Sequence, residues 1–253
     1  MSAPRARRWG AIEKMVRFAE AREARLGAAP PIGRKPAGSE VGAPLEFTEL
    51  LEPSVVLRCL RTPFEEEGAP SLGSPRGAEA WEQASLRLAT TEGLHFGGSF
   101  AWLRSLAKDP AVPLLAWDCF VGVTQLAEAR ACGARGIAPL LNAAARADFA
   151  WDTLLSAAQD QALLLAPEVT NAEELAWVEQ AAQQRPEAFV RVAGRPLVLL
   201  SARSRETFRA ELPAELEPVL ASAQIACVRL FADAGDTGER NVVTFVDKAA
   251  ESP

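Results

Sequence analysis

The chain carries one histidine, His95, and four cysteines, Cys59, Cys119, Cys132 and Cys227. A single imidazole rules out any mechanism that needs two. Cysteines this far apart, with no CxxC spacing, fit buried reduced thiols better than a metal knot or disulfides. The inventory therefore predicts no metal and no cofactor. His95 stands beside a Phe-Gly-Gly-Ser turn, where loop packing explains it better than catalysis. The other concentration of charge is basic: Arg5, Arg7, Arg8, Lys14, Arg17, Arg22, Arg25, Arg34 and Lys35. A solvated helix face explains this cluster better than a polyanion site. The whole chain is acidic, with 33 Asp and Glu against 27 Lys and Arg, so a nucleic-acid partner is not expected.

With 253 residues, 49% of them hydrophobic, the chain is long enough for one sizeable core. It contains no stretch apolar enough to cross a membrane and no apolar signal core behind Arg5, Arg7 and Arg8. That pattern predicts a cytoplasmic protein with no membrane association. Ile12, Met15, Val16, Ala19 and Leu26 recur at helical spacing and predict an amphipathic helix over 11–26, with Glu23 interrupting the buried stripe. Residues 27–44 form a Gly/Pro-rich linker. Apolar runs at 55–60, 86–91, 114–116, 136–141, 162–169 and 242–246 read as strands. Between them lie helices at 77–83, from Ser99 through Ala107, and at 125–131, 149–158 and 171–183. The last opens on a capping box, Asn171 with Glu174. Strands separated by helices imply parallel pairing in an α/β fold.

Several motifs carry a more specific likeness. Phe96, Gly98 and Ser99 are followed without a gap by PLLAWDCF at 113–120 and by Gln125, Glu128, Ala129, Arg130, Gly133 and Ala134. This stretch resembles the indole-3-glycerol-phosphate synthase family, in which an FxGS turn precedes PVLRKDFI and then YQ..EARAAGAD. SVVLRCLRTPF at 54–64, LRLATTE at 86–92, PEVTNAEEL at 167–175, LVLLSARSRET at 197–207 and IACVRLFADAG at 225–235 extend the likeness. The resemblance implies a (β/α)8 TIM barrel over 46–253, preceded at 1–45 by an extra helix and linker that lie across its top. Residues 184–196 are longer than the family requires and read as an inserted loop or short strand. Only 18 residues follow Gly235, too few for the helix, strand and helix that complete such a barrel. The C-terminal part is therefore expected to be truncated or irregular, returning either as a hairpin or across a deleted helix.

The family is a carboxy-lyase of tryptophan biosynthesis, which closes an indole ring with loss of carbon dioxide and water. By resemblance, Glu168 is its catalytic glutamate, and Arg61, Arg203, Asp118 and the turn at Phe96 also match. Five positions depart. The first strand's glutamate and lysine fall on Arg58 and Leu60, the general-acid lysine on Trp117, a substrate asparagine on Ser201, and the phosphate-binding serine on Ala234. An indole N–H donates a hydrogen bond but does not titrate, and a positioned general acid is worth about 10² to 10⁴ in rate. The expectation is a barrel that has lost the ring closure and binds a ligand or protein as a pseudoenzyme. Arg58, Trp117 and Glu168 are expected to face one another at its mouth, Arg58 pairing with Glu168 and Trp117 plugging the site. The alternative is an active enzyme, retaining a weak parent reaction or acting on an anionic aromatic substrate. Arg58, Arg61, Phe96, Trp117, Ser201 and Arg203 would hold that ligand. The shortened C-terminus would leave Val228, Leu230 and Val242 uncovered, so 225–246 is expected to be buried against the 184–196 segment, the N-terminal helix or a second chain, with a protein partner or homodimer preferred.

Overall fold

A computed structural model describes residues 11–28, 44–48, 55–59, 81–108, 112–201, 214, 216, 224–230 and 241–246. It is an alternating α/β fold on a parallel sheet, preceded by the helix α1 (Ala11–Ala28). The strands are β1 (Glu46–Phe47), β2 (Val55–Cys59), β3 (Leu86–Thr90), β4 (Leu114–Asp118), β5 (Gly136–Pro139), β6 (Leu164–Leu165), β7 (Glu168–Val169), β8 (Arg191–Val192), β9 (Arg195–Ser201), β10 (Ala226–Leu230) and β11 (Asn241–Val246). The helices after α1 are α2 (Phe100–Leu106), α3 (Val123–Ala131), α4 (Leu141–Arg146), α5 (Trp151–Asp160) and α6 (Ala172–Gln184). Residues 81–83 are also helical, the end of the helix expected at 77–83.

The sheet runs β1-β8-β9-β10-β11-β2-β3-β4-β5-β6, and β7 pairs with β9. All pairs are parallel except β8 with β9. The apolar run at 162–169 divides at Ala166 and Pro167. Its first half pairs with β5, and Ala166 N–H donates to Ile137 O at 2.9 Å. Its second half turns to β9, where Pro167 O accepts from Leu199 N–H at 2.9 Å. A proline has no N–H to continue the first ladder, and beyond it the β5 side is held by an isolated bridge, Leu140 with Glu168.

Both faces of the sheet are buried, which is why its strands read as apolar runs rather than as alternation. Val56, Leu114, Ala116, Val198 and Leu200 pack on one face against helix residues such as Leu103, Leu126, Leu154 and Val178. Val55, Leu57, Leu115, Trp117, Leu197, Leu199 and Val228 line the other face. The apolar stripe of α1, with Ile12, Met15, Val16 and Ala19, belongs to that second cluster.

Two local expectations change. β11 runs parallel to both β10 and β2, so the C-terminal strand is no hairpin return. It lies between two strands and leaves neither edge open. Val228 and Leu230 are fully buried within the single chain, in one cluster with Ile12 and Met15 of α1 and Val190 and Val192 of the 184–196 segment, so the burial expected there is supplied by the chain's own elements and the preferred argument for a partner at that place is withdrawn. Of Val242 the side chain lies outside what is described. The insertion at 184–196 resolves into a 3-10 turn (Pro186–Ala188) and the β8–β9 hairpin.

Candidate functional site

The turn after β3 is built by a close approach. Gly98 N–H donates to Glu92 O at 2.8 Å, and a Cβ at Gly98 would lie 2.2 Å from Thr90 O, so only glycine fits. Glu92 accepts the backbone N–H groups of Leu94 and His95 at 2.8 Å and of Phe96 at 3.0 Å. Burial alone would raise this carboxyl, but the His95 side chain and those three amides outweigh it and hold Glu92 below its ordinary value. The single histidine thus braces the loop. Phe96 is delivered fully buried onto Trp117, edge to face, with ring centroids 4.8 Å apart.

Trp117 projects from β4 and Glu168 from β7. The indole Nε1–H donates to Glu168 Oε2 at 2.6 Å, and both residues have no solvent exposure. Phe96, Trp117 and Glu168 therefore come together, so that of the expected trio Arg58, Trp117 and Glu168 the last two meet. Ser201, at the end of β9 and nearly buried, lies on the same face as Leu197 and Leu199 by strand alternation.

Arg58 does not join them. Val55, Leu57 and Cys59 take the face that carries Trp117, so Arg58 points to the opposite side, where its guanidinium stacks over Trp81 at 5.2 Å. The expected Arg58–Glu168 pair is corrected accordingly. A slip of one residue along a strand exchanges its faces, and here the positions facing the site are Leu57 and Cys59. Arg61, Leu60, Arg203 and Ala234 lie outside the described residues.

Two α1 residues absent from the expected site turn out to govern it. Arg22 Nη2 donates to Asp118 Oδ2 at 2.6 Å, and Arg22 Nη1 to Thr91 O at 2.7 Å. Asp118 also accepts the Thr91 hydroxyl, and Cys119 N–H at 2.6 Å. Burial pushes the Asp118 carboxyl up, while the Arg22 charge and the Thr91 hydroxyl pull it back. Glu23, which broke the apolar stripe, accepts Thr124 N–H at 2.7 Å and Gln125 N–H at 2.8 Å, capping α3 where its own N-cap, Gly122, has no side chain. The helix is thus clasped over the C-terminal ends of β3 and β4 by two neighbouring charges, and its apolar stripe seals the face on which Trp117 and Glu168 lie. Arg22 was expected on a solvated face, and the pattern of 11–26 alone carries no signal for its partners.

A fifth carboxylate, Glu174, stands at the start of α6. Asn171 Oδ1 accepts Glu174 N–H at 2.9 Å, and Glu174 accepts Thr170 N–H at 2.6 Å, a capping box shifted back by one residue. Burial raises the Glu174 carboxyl to about 7. A folded-state pKa above the unfolded one means that the native state binds more protons, so stability falls as pH rises from the ordinary carboxyl range through neutrality. Glu174 is expected to account for a loss of about 3 kcal/mol across that window. Urea titrations at several pH values should show a flatter profile for Glu174→Gln, and an unchanged profile would refute this assignment.

All four cysteines are free and buried, and Cys132 is pushed up to about 11 by burial and by Glu128 beside it. Among the described residues no group of three metal-liganding side chains occurs, and no helix is long and apolar enough to cross a membrane. No protein-family model matches the chain, and no curated protein matches it. The likeness to indole-3-glycerol-phosphate synthase therefore rests on the motifs themselves.

Proposed function

We propose that the chain is a (β/α)8 barrel related to indole-3-glycerol-phosphate synthase that has lost the ring closure and acts by binding, as a pseudoenzyme. The pairing pattern supports the barrel: β6 and β7 serve as two halves of one strand, so that β5 and β9 are joined through them and the parallel order closes on itself. The observation that carries the functional reading is the Trp117–Glu168 hydrogen bond between two fully buried side chains. A carboxylate spent on an indole N–H, under a helix that fills the mouth with Met15 and Val16, has no substrate to meet. The position that would supply the proton holds a side chain with none to give. A protein, a second copy of the chain, or an anionic aromatic molecule are the partners in keeping with this reading, and the sealed mouth favours a macromolecule.

The purified protein is expected to form no indole-3-glycerol phosphate above the buffer rate, followed by the fluorescence of the indole product. Turnover within about a hundredfold of an ordinary kcat near 10 per second would overturn the proposal and restore the enzyme alternative. Trp117→Lys alone is not expected to rescue activity, because α1 still fills the mouth.

A further inference from the structure

We propose that the mouth over the C-terminal ends of β3 and β4 is a helix-binding groove, and that the α1 of a second copy of this chain occupies it in exchange for the chain's own. The proposal rests on the reading of the mouth as a surface that meets a macromolecule, and deepens it by naming the helix that the surface fits.

The groove is cut to α1. A Cβ at Gly122 would lie 2.5 Å from Glu23 Cδ, and one at Gly93 would lie 3.2 Å from the Phe18 ring. Two glycines thus leave the room that two α1 side chains fill. Beside them are two polar sockets of opposite character. Asp118 and Thr91 O receive the Arg22 guanidinium, and the amides of Thr124 and Gln125 meet the two Glu23 carboxylate oxygens. Ile12, Met15, Val16 and Ala19 supply the apolar stripe. This is helix-in-groove recognition, with the adjacent charges of Arg22 and Glu23 fixing the register. The partners of those two charges stand 69 to 102 residues further along the chain, and residues 29–45, which join α1 to β1, are rich in Gly and Pro. A second copy offers every one of the same contacts. Exchange therefore costs only the difference between the concentration of a tethered helix and that of a free one.

The test mixes two full-length variants at about millimolar concentration, where a helix from another copy competes with a tethered one. One carries Gly27→Cys at the end of α1 and the other Thr124→Cys at the start of α3. A Cβ at Gly27 would lie 3.9 Å from Thr124 Oγ1, within reach of a disulfide, and the four native cysteines are free and buried. In a glutathione redox buffer the two copies are expected to join through a disulfide between positions 27 and 124, identified by mass spectrometry. Glu23→Ala then distinguishes exchange from collision. In the Gly27→Cys chain it weakens the incoming helix and should lower the yield about fivefold, whereas in the Thr124→Cys chain it loosens the helix already seated and should raise the yield by about the same factor. Absence of the cross-link would overturn the proposal, and so would a yield that fails to move in opposite directions in the two chains. Indole-3-glycerol phosphate assayed in the same mixtures separates this from the proposed function: turnover overturns the pseudoenzyme reading, whereas a missing cross-link without turnover overturns the exchange alone.

Discussion

Trp117→Ala is expected to lower the unfolding free energy by roughly 3 to 5 kcal/mol, the cost of emptying a large core side chain. Trp117 is the largest of the fully buried side chains among the described residues, it packs edge to face with Phe96, and its N–H satisfies a carboxylate that no solvent reaches. Trp117→Phe separates the two contributions. It keeps most of the ring but removes the donor, and should cost about 1 to 3 kcal/mol for the carboxylate oxygen left without that bond. Urea titrations of both variants provide the measurement. A loss under about 1 kcal/mol for the alanine variant would mean that Trp117 sits in an adaptable, solvent-filled pocket, and the pseudoenzyme proposal would lose its carrying observation.

Arg22→Ala is expected to cost about 3 to 5 kcal/mol, because it strands a buried carboxylate rather than removing a surface ion pair. Arg22 and Asp118 are 11% and 1% exposed at 2.6 Å, so screening by water is slight. The loss should also depend on pH. Burial already raises Asp118, and Arg22 opposes that shift. Without Arg22 the folded-state pKa rises further, and the variant becomes progressively less stable as pH increases above the ordinary carboxylate range. In an Asp118→Asn background the same Arg22→Ala change should cost far less and lose that pH slope. Equal costs in both backgrounds would show that α1 is held by its apolar stripe alone.

The helix positions were legible because their signals are local. Ser99 accepts Trp102 N–H at 3.1 Å and starts α2 where its type and place predict, and Asn171 caps α6 in the same way. The apolar spacing of 11–26 marked the buried stripe of α1. The parallel pairing was legible from the alternation of helix and strand, but the faces of β2 were not. VVLRC is buried on both sides, so periodicity carries no register, and a motif alignment one residue out of phase placed Arg58 in the site. α4 was missed for a different reason: LNAAAR is a single short helix beginning directly after β5, with no capping side chain at Leu140. The clasp of Arg22 and Glu23 could not be read from the sequence because each partner lies about a hundred residues away.

That separation has a consequence for the order in which the chain matures. Arg22 meets Asp118 across 96 residues and Glu23 meets Gln125 across 102. α1 leaves the ribosome long before β4 and α3 exist, and its stripe has no docking face until β2 to β5 have paired. Closing loops of that length is entropically costly and slow compared with local helix formation. The first helix to be synthesised is thus among the last to be fastened. Until then its Met15 and Val16 face the same water, nascent chain and chaperones as any unpaired strand edge.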